Sequence, residues 1–180
     1  DQIDDYSIQA ASILKFYASL VGDIPYPIFT LALSDSLLPG GHSPAYFAVL
    51  NQPVPMRSGL MLTWRTDPVA FSRHPSFFLA HELAHQWWGQ AVGSKNYHEQ
   101  WLSEGLAQYF AALHVQAQDG DEAFEDILSE LRRWSIRHSN QGPISLGKRL
   151  GNINEDTRVF RAVVYNKSAL VLHMLRRLIG

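Results

Sequence analysis

Two histidines, His81 and His85, stand four positions apart, and Glu104 follows after eighteen intervening residues. Residues at this histidine spacing lie on one face of a helix, about one turn apart, so both imidazoles can reach a single ion. Catalytic zinc takes three protein ligands and leaves a further position for water. We therefore predict that His81, His85 and Glu104 hold one zinc ion per chain. The alternative is a helix with two ordinary histidines and an exposed carboxylate on the next helix.

Glu82 lies beside the first predicted ligand and is the candidate general base. Its place next to His81 directs it to one side of the ion, where water in the open position would lie. Zinc lowers the pKa of such a water to about 7, and a carboxylate within hydrogen-bond reach can take its proton as the oxygen attacks a carbonyl. The same acid can later protonate a leaving amine. The alternative is a structural glutamate on that helix face.

The composition narrows the possible ligands and partners. Without cysteine the chain has no disulfide or thiolate metal site, so histidine, aspartate and glutamate are its strong ligand types. The formal net charge of -2 gives no long-range attraction for nucleic acid, and we expect no such partner. The 180 residues, 46% of them hydrophobic, suffice for one folded domain.

The ends of the chain and its apolar runs give little information on location. No apolar run reaches the length of a membrane span, and the acidic start is not typical of a signal peptide. The start also lacks a methionine, so we expect a piece of a longer multidomain protein. A cytoplasmic and an exported location both stay open.

A helix with short strands in the first third of the chain, and a series of helices after it, must position these residues. In the first third, apolar residues at helical spacing predict a helix over residues 4–21, ended by Gly22. Short apolar runs then predict strands at Ile28–Leu33, Ala45–Leu50 and Leu60–Trp64, with a loop from Asp35 to Ser43.

The rest of the chain shows helical periodicity. Pro75 and Gly89 bracket the histidine motif as a helix of roughly four turns. Further helices are predicted at 102–117, 124–134 and 159–179, with a long loop over 139–156. We therefore predict a single α+β domain. A helix with a small β-sheet forms a sub-lobe at 1–66, and a mainly helical sub-lobe at 67–180 carries the metal site.

Three segments resemble one family of enzymes. They are the histidine motif with its continuation, the segment around Glu104 and a later tyrosine segment, which read H-E-L-A-H-Q-W-W-G at 81–89, W-L-S-E-G at 101–105 and V-Y-N-K-S-A at 164–169. Together they are similar to the aminopeptidase N (membrane alanyl aminopeptidase) family of gluzincin zinc metallopeptidases. The resemblance runs from about Val21 to the C-terminus.

The resemblance implies a thermolysin-like zincin catalytic domain, in which zinc lies between the sheet and the helical lobe. It implies zinc-dependent hydrolysis of peptide bonds, with an aminopeptidase-like preference for free amino termini. It also implies that the hydroxyl of Tyr165 stabilises the oxyanion; a tyrosine donor suits that role physically. The family's preceding β-domain and later helical domain are absent from these residues, and they would complete the substrate pocket.

One position departs from the family pattern. Ser43 stands where the family has a glutamate that anchors the free amino terminus of the substrate. A hydroxyl cannot replace the attraction of a carboxylate for an ammonium group. Two other functions therefore stay open beside the aminopeptidase: an endopeptidase of the same class, and a non-catalytic peptide-binding or scaffolding relative. Hydrolysis of a non-peptide substrate is a further alternative. Ser168, in place of a family glycine, is a smaller change.

Side chains near the ligands are candidates for orienting the imidazoles. Glu99 and Gln108 are the two that we single out, with ordinary surface roles as the alternative. The remaining histidines have no ligand spacing of their own and are expected to be structural: His42, His74, His98, His114, His138 and His173.

Overall fold

A computed structural model describes residues 2–34, 41–50, 68–69, 71, 73–146 and 157–180. Helix α1 (Gln2–Val21) comes first, three short strands follow, and the remaining described elements are helical. The fold is mostly helical with a small three-stranded sheet, as expected of an α+β protein. Within these ranges no helix is both long and apolar enough to cross a membrane.

Helix α1 forms where the sequence predicts it, because its apolar side chains recur every three or four residues. Tyr6, Ala10, Ile13 and Tyr17 lie on its buried face. The helix ends at Val21, and Gly22 takes a φ of 95°, a conformation that favours glycine. The Tyr17 hydroxyl donates to the carbonyl of Ala80 at 2.8 Å, which joins α1 to the helix of the histidine motif.

The sheet has the order β1-β3-β2, from strands β1 (Thr30–Leu33), β2 (Gly41–His42) and β3 (Phe47–Leu50). Strand β1 pairs with β3 in parallel, and β2 pairs with β3 antiparallel. Both predicted strands in this region are confirmed but start two residues later than expected. The expectation of a loop up to Ser43 is wrong at β2, since Gly41 and His42 pair with the backbone of β3. The strand predicted at Leu60–Trp64 lies outside the described residues.

Helix α2 (Ser76–Ala84) carries the histidine motif and is shorter than predicted. After Ala84 the chain tightens, because the backbone amides of Gln86 and Trp87 donate three residues back. An isolated β-bridge between Trp88 and Val92 then closes a turn, in which Gly89 has a φ of 120°. The prediction that the helix reaches Gly89 is therefore wrong, although His85 itself keeps helical backbone angles, with φ of -61° and ψ of -18°.

Two long helices follow. Helix α3 (Gln100–Asp119) carries Glu104, and α4 (Asp121–Arg137) begins directly after Gly120, whose φ of 92° separates the two. Within the predicted loop over 139–156, two short 3-10 turns occupy Ser139–Gln141 and Ile144–Leu146. The later part of that loop lies outside the described residues.

The last predicted helix is continuous but not uniform. It consists of helix α5 (Thr157–Phe160), a π-helical segment (Arg161–Lys167) and helix α6 (Ser168–Ile179). Buried side chains of α1, β3, α2, α3, α4 and α6 belong to one hydrophobic core. This shared core fixes α2 against α3, and the candidate site lies between them.

Candidate metal centre

The three predicted metal ligands lie together between α2 and α3. Nε2 of His81 and Nε2 of His85 are each 3.4 Å from Oε2 of Glu104, and the two nitrogens are 3.2 Å apart. Helix α2 supplies His81, the residue after its last turn supplies His85, and the first turns of α3 supply Glu104. In the part of the chain that the structure describes, this is the group of histidine and acidic side chains that could hold a metal ion.

The ligand side chains are largely removed from solvent. Their exposed fractions are 8% for His81, 14% for His85 and 12% for Glu104. Glycine beside the ligand helps to place α3, because a Cβ at Gly105 would lie 2.6 Å from the Cβ of Ser168 on α6. The close contact of α3 and α6 therefore requires glycine at 105, and it accommodates the serine at 168.

Electrostatics couple the ligands strongly. Burial opposes a charge on His85, but the Glu104 carboxylate, together with Glu82 and the Trp88 carbonyl, raises the pKa of His85 to about 9. Burial alone would raise the pKa of Glu104, yet the two histidines hold it well below its usual range. Without metal, His85 and Glu104 are therefore a buried ion pair at neutral pH. A divalent cation would replace the shared proton, as expected for ligands that must be deprotonated.

The donor atoms fit a zinc ion. Two imidazole nitrogens and one carboxylate oxygen lie within 4.8 Å of one another, which is the donor set of many catalytic zinc sites. Oε2 of Glu104 is buried and faces both imidazole Nε2 atoms at 3.4 Å, which is longer than an ordinary hydrogen bond. Nδ1 of His85 lies 2.9 Å from the carbonyl oxygen of Trp88. Because a carbonyl only accepts, Nδ1 carries the proton and Nε2 is left for a metal.

Glu82, the predicted general base, is buried in the same place. Its exposed fraction is 6%, and its charge acts on both His85 and Tyr165. The hydroxyl of Ser43 donates to Oε2 of Glu82 at 2.5 Å. This bond joins residues 39 positions apart, so no sequence spacing indicates it, and from the sequence Ser43 is only a changed substrate contact.

Tyr165 lies against the same ligands. Its ring stacks on His81 with centroids 5.7 Å apart and an interplanar angle of 13°, and the Glu104 carboxylate acts electrostatically on its hydroxyl. Burial, reinforced by the Glu104 charge, raises the pKa of Tyr165 well above 10.0. The phenol therefore keeps its proton at physiological pH and can act as a donor. It sits in the π-helical segment, a distortion that is frequent at functional sites.

The two side chains expected to orient the imidazoles have other partners. Nε2 of Gln108 donates to Oδ1 of the fully buried Asn166 at 3.0 Å, next to Tyr165. Nδ2 of Asn166 donates in turn to the carbonyl of Pro68 at 2.8 Å. Glu99 accepts from the backbone amide of Lys95 at 2.8 Å, within its own loop. Gln108 thus links α3 to the tyrosine segment, a contact between residues 58 positions apart that no sequence pattern indicates.

The remaining described histidines take other places in the fold. His74 lies near Asp126, His114 packs edge-on against Phe16 and Tyr17, and His173 meets Tyr109. His138 stacks on Trp134 with an interplanar angle of 7°. None of these belongs to the metal-ligand group found among the described residues.

Comparison with known proteins points in the same direction. The family profile described as the peptidase family M1 domain matches residues 58–180. Endoplasmic reticulum aminopeptidase 2 of Homo sapiens is 27% identical over 177 residues, which cover 97% of this chain and 18% of the relative. The Bos taurus protein of the same name is 30% identical over 187 residues, 95% of this chain and 18% of the relative.

A bacterial relative is similar to the same extent. Aminopeptidase N of Lactococcus lactis subsp. lactis is 28% identical over 178 residues, which cover 95% of this chain and 20% of the relative. The chain therefore spans about a fifth of the length of these curated relatives.

Proposed function

The chain belongs to peptidase family M1, and from that premise we propose that it is the catalytic part of a zinc-dependent aminopeptidase. The single observation that carries the proposal is the convergence of His81, His85 and Glu104 between two packed helices. The names of the relatives, which are aminopeptidases, support the reaction class.

In this proposal the three converged side chains hold one zinc ion. When bound, zinc polarises the peptide carbonyl and acidifies water, which lowers the barrier to hydrolysis. The ligand helices keep the coordinating atoms in place, since both are fixed by the same hydrophobic core. The burial of the site strengthens each electrostatic interaction within it.

Glu82 is the proton carrier of the reaction. Its carboxylate accepts the proton from the attacking water and delivers it to the amine that leaves, as general acid–base catalysis requires. Tyr165 stays protonated, because burial raises its pKa, and its hydroxyl donates to the oxygen that becomes negative. Each role uses a group whose position beside the ligands the structure describes.

The wider architecture is part of the proposal. The small sheet with α1 and the helices after residue 67 would be the two sub-lobes of a thermolysin-like catalytic domain. The relatives are about five times as long as this chain. We propose that flanking segments of the whole protein complete the pocket that holds the peptide substrate.

Whether the protein is an aminopeptidase or an endopeptidase depends on the side chain at position 43. An anchor for a free amino terminus needs a negative charge, whereas Ser43 is neutral and its hydroxyl is occupied by Glu82. This observation favours an endopeptidase of the same class as the second candidate. A non-catalytic peptide-binding relative is a weaker candidate, because such a protein does not need Glu82 beside a buried ligand set.

Matched peptides with free and acetylated amino termini separate these candidates. We expect the zinc-loaded protein to cleave the free peptides preferentially, and a chelator to abolish the cleavage. Equal cleavage of both sets would establish an endopeptidase instead. Zinc binding without cleavage of either set would support the non-catalytic peptide-binding protein instead.

A further inference from the structure

The segment that follows strand β2 runs directly over the carboxylate of Glu82. Oγ of Ser43 donates to Oε2 of Glu82 at 2.5 Å, and each residue is 6% exposed. The contact is at the short end of the range for hydrogen bonds between a hydroxyl and a carboxylate oxygen. Ser43 is therefore the fixed hydrogen-bond partner of one carboxylate oxygen of Glu82.

The backbone of β2 confines the same carboxylate from another side. A Cβ placed on Gly41 would lie 2.4 Å from the carboxyl carbon of Glu82 and 2.4 Å from its Oε1. Real side chains do not approach so closely, so a larger residue at 41 would force the Glu82 carboxylate to move. The carboxylate lies in a cradle formed by the Gly41 backbone and the Ser43 hydroxyl.

The cradle is attached to the turn that follows α2. The side chain of Gln86, just after His85, accepts from the amide of Tyr46 at 3.0 Å and donates to the carbonyl of Pro44 at 3.1 Å. Nε2 of Gln90 donates to the carbonyl of Ser43 at 2.9 Å. Gln86 is itself only 2% exposed. These bonds fix the backbone of Ser43 relative to the turn that follows α2.

We propose that Ser43 is a positioning residue that holds the Glu82 carboxylate in the orientation needed for proton transfer. The inference rests on the proposed function, in which Glu82 is the general base. A carboxylate must stay within hydrogen-bond reach of the proton that it takes, and small misplacements of a catalytic group are costly. Without its fixed donor, Glu82 can rotate within the cradle and loses that orientation for part of the time.

The first part of the test needs neither metal nor activity. Thermal unfolding of the metal-free protein is measured for Ser43→Ala, Glu82→Ala and the double variant. If the two side chains bond, the fall in Tm of the double variant is at least about 2 °C smaller than the sum of the two single falls. Additive falls would overturn the contact on which the proposal depends.

The second part measures steady-state kinetics of the zinc-loaded protein on a peptide that the unaltered protein cleaves. We expect Ser43→Ala to lower kcat about tenfold or more, with KM and the zinc dissociation constant unchanged. Ser43→Thr, which keeps the hydroxyl, should restore most of kcat. Ser135→Ala is the matched control, since Ser135 is also buried but donates to the Leu131 carbonyl within its own helix, α4.

The outcomes distinguish this proposal from the proposed function. An unaltered protein that binds zinc and cleaves no peptide would contradict the function, and the unfolding measurement would still test the contact. An active protein whose kcat is unaffected by Ser43→Ala overturns the positioning role. A raised KM at constant kcat overturns it as well, because Ser43 would then serve substrate binding.

Discussion

At the scale of single residues, the candidate metal centre combines groups in defined protonation states. The pKa of His85 is raised to about 9 by the Glu104 carboxylate, so a metal ion must displace a proton from this pair. The pKa of Tyr165 is also raised, because its phenol is buried beside the Glu104 charge. A buried tyrosine that keeps its proton is suited to donate to an oxygen on which negative charge develops.

Replacing Tyr165 with phenylalanine removes this donor and leaves the ring that stacks on His81. We expect kcat of the Tyr165→Phe variant on a peptide substrate to fall about 100-fold to 1,000-fold. Zinc affinity should be unchanged, because Tyr165 is not a predicted ligand. Tyr109→Phe is the control, since its hydroxyl meets His173 between α3 and α6. An unchanged kcat in Tyr165→Phe would contradict the donor role.

The sequence predicted that His81, His85 and Glu104 come together, as they do, but it did not predict the contacts around them. His81 and His85 are four positions apart, so the geometry of one helix brings them together. The bond from Ser43 to Glu82 spans 39 positions, and the bond from Gln108 to Asn166 spans 58. Such bonds depend on how the elements pack, which residue spacing within one element does not determine.

At the scale of elements, the π-helical segment and α3 meet through buried amides. Asn166 is fully buried and makes two hydrogen bonds, one with Gln108 on α3 and one with the carbonyl of Pro68. Because Asn166 follows Tyr165 directly, these bonds fix the backbone from which the tyrosine projects. The network therefore holds the tyrosine segment against the helix that carries Glu104.

Replacing Asn166 with leucine leaves both of its partners unsatisfied. We expect the free energy of unfolding of the Asn166→Leu variant to fall by about 1–3 kcal/mol, measured by denaturant titration. Gln116→Leu is the control, because its amide bonds with Asp121 on the exposed surface and should change stability by less than about 0.5 kcal/mol. Equal stability of the Asn166 variant and the unaltered protein would show that the network contributes nothing to the free energy of unfolding.

Local patterns explain why some elements were predicted and others were not. Helices α1, α3 and α4 were predicted because each has an apolar face that repeats at helical spacing. Strand β2 has only two residues, which is too short for an alternating pattern. The π-helical segment differs from an α-helix by a small change of period, and the apolar residues of 159–179 fit either one.

At the scale of the whole molecule, one hydrophobic core joins the sheet and the helices. His114 packs against this core, and its imidazole meets Phe16 and Tyr17 of α1 edge-on. Burial lowers the pKa of His114 from 6.5, and the charge of Asp119 opposes this only in part. The folded chain therefore binds a proton at this site less readily than the unfolded chain does.

This difference makes part of the stability depend on pH. As the pH falls below about 6.5, the unfolded chain takes up a proton that folded His114 does not, so the free energy of unfolding decreases. We expect His114→Asn to flatten that decrease between about pH 6.5 and pH 5, by up to about 1.4 kcal/mol per pH unit. Denaturant titrations across this range measure the slope. An identical slope in both proteins would contradict the assignment.

The arrangement of the whole chain could be predicted only in part from the sequence. Composition and periodicity predicted an α+β protein with helices after a small sheet, as the described residues show. The strand order β1-β3-β2 depends on pairing between distant residues, which no local pattern specifies. The division into sub-lobes at residue 66 stays a prediction, because residues 51–67 are not described.

The most direct test of the central claim is the peptide turnover of the zinc-loaded Glu82→Gln variant. Gln keeps the shape of the side chain but cannot accept a proton, so we predict one zinc ion per chain and a loss of turnover of about 100-fold or more. Glu104→Ala, measured in parallel, should bind zinc more weakly because a ligand is missing. A zinc-loaded Glu82→Gln variant that turns over peptide as fast as the unaltered protein would contradict the account.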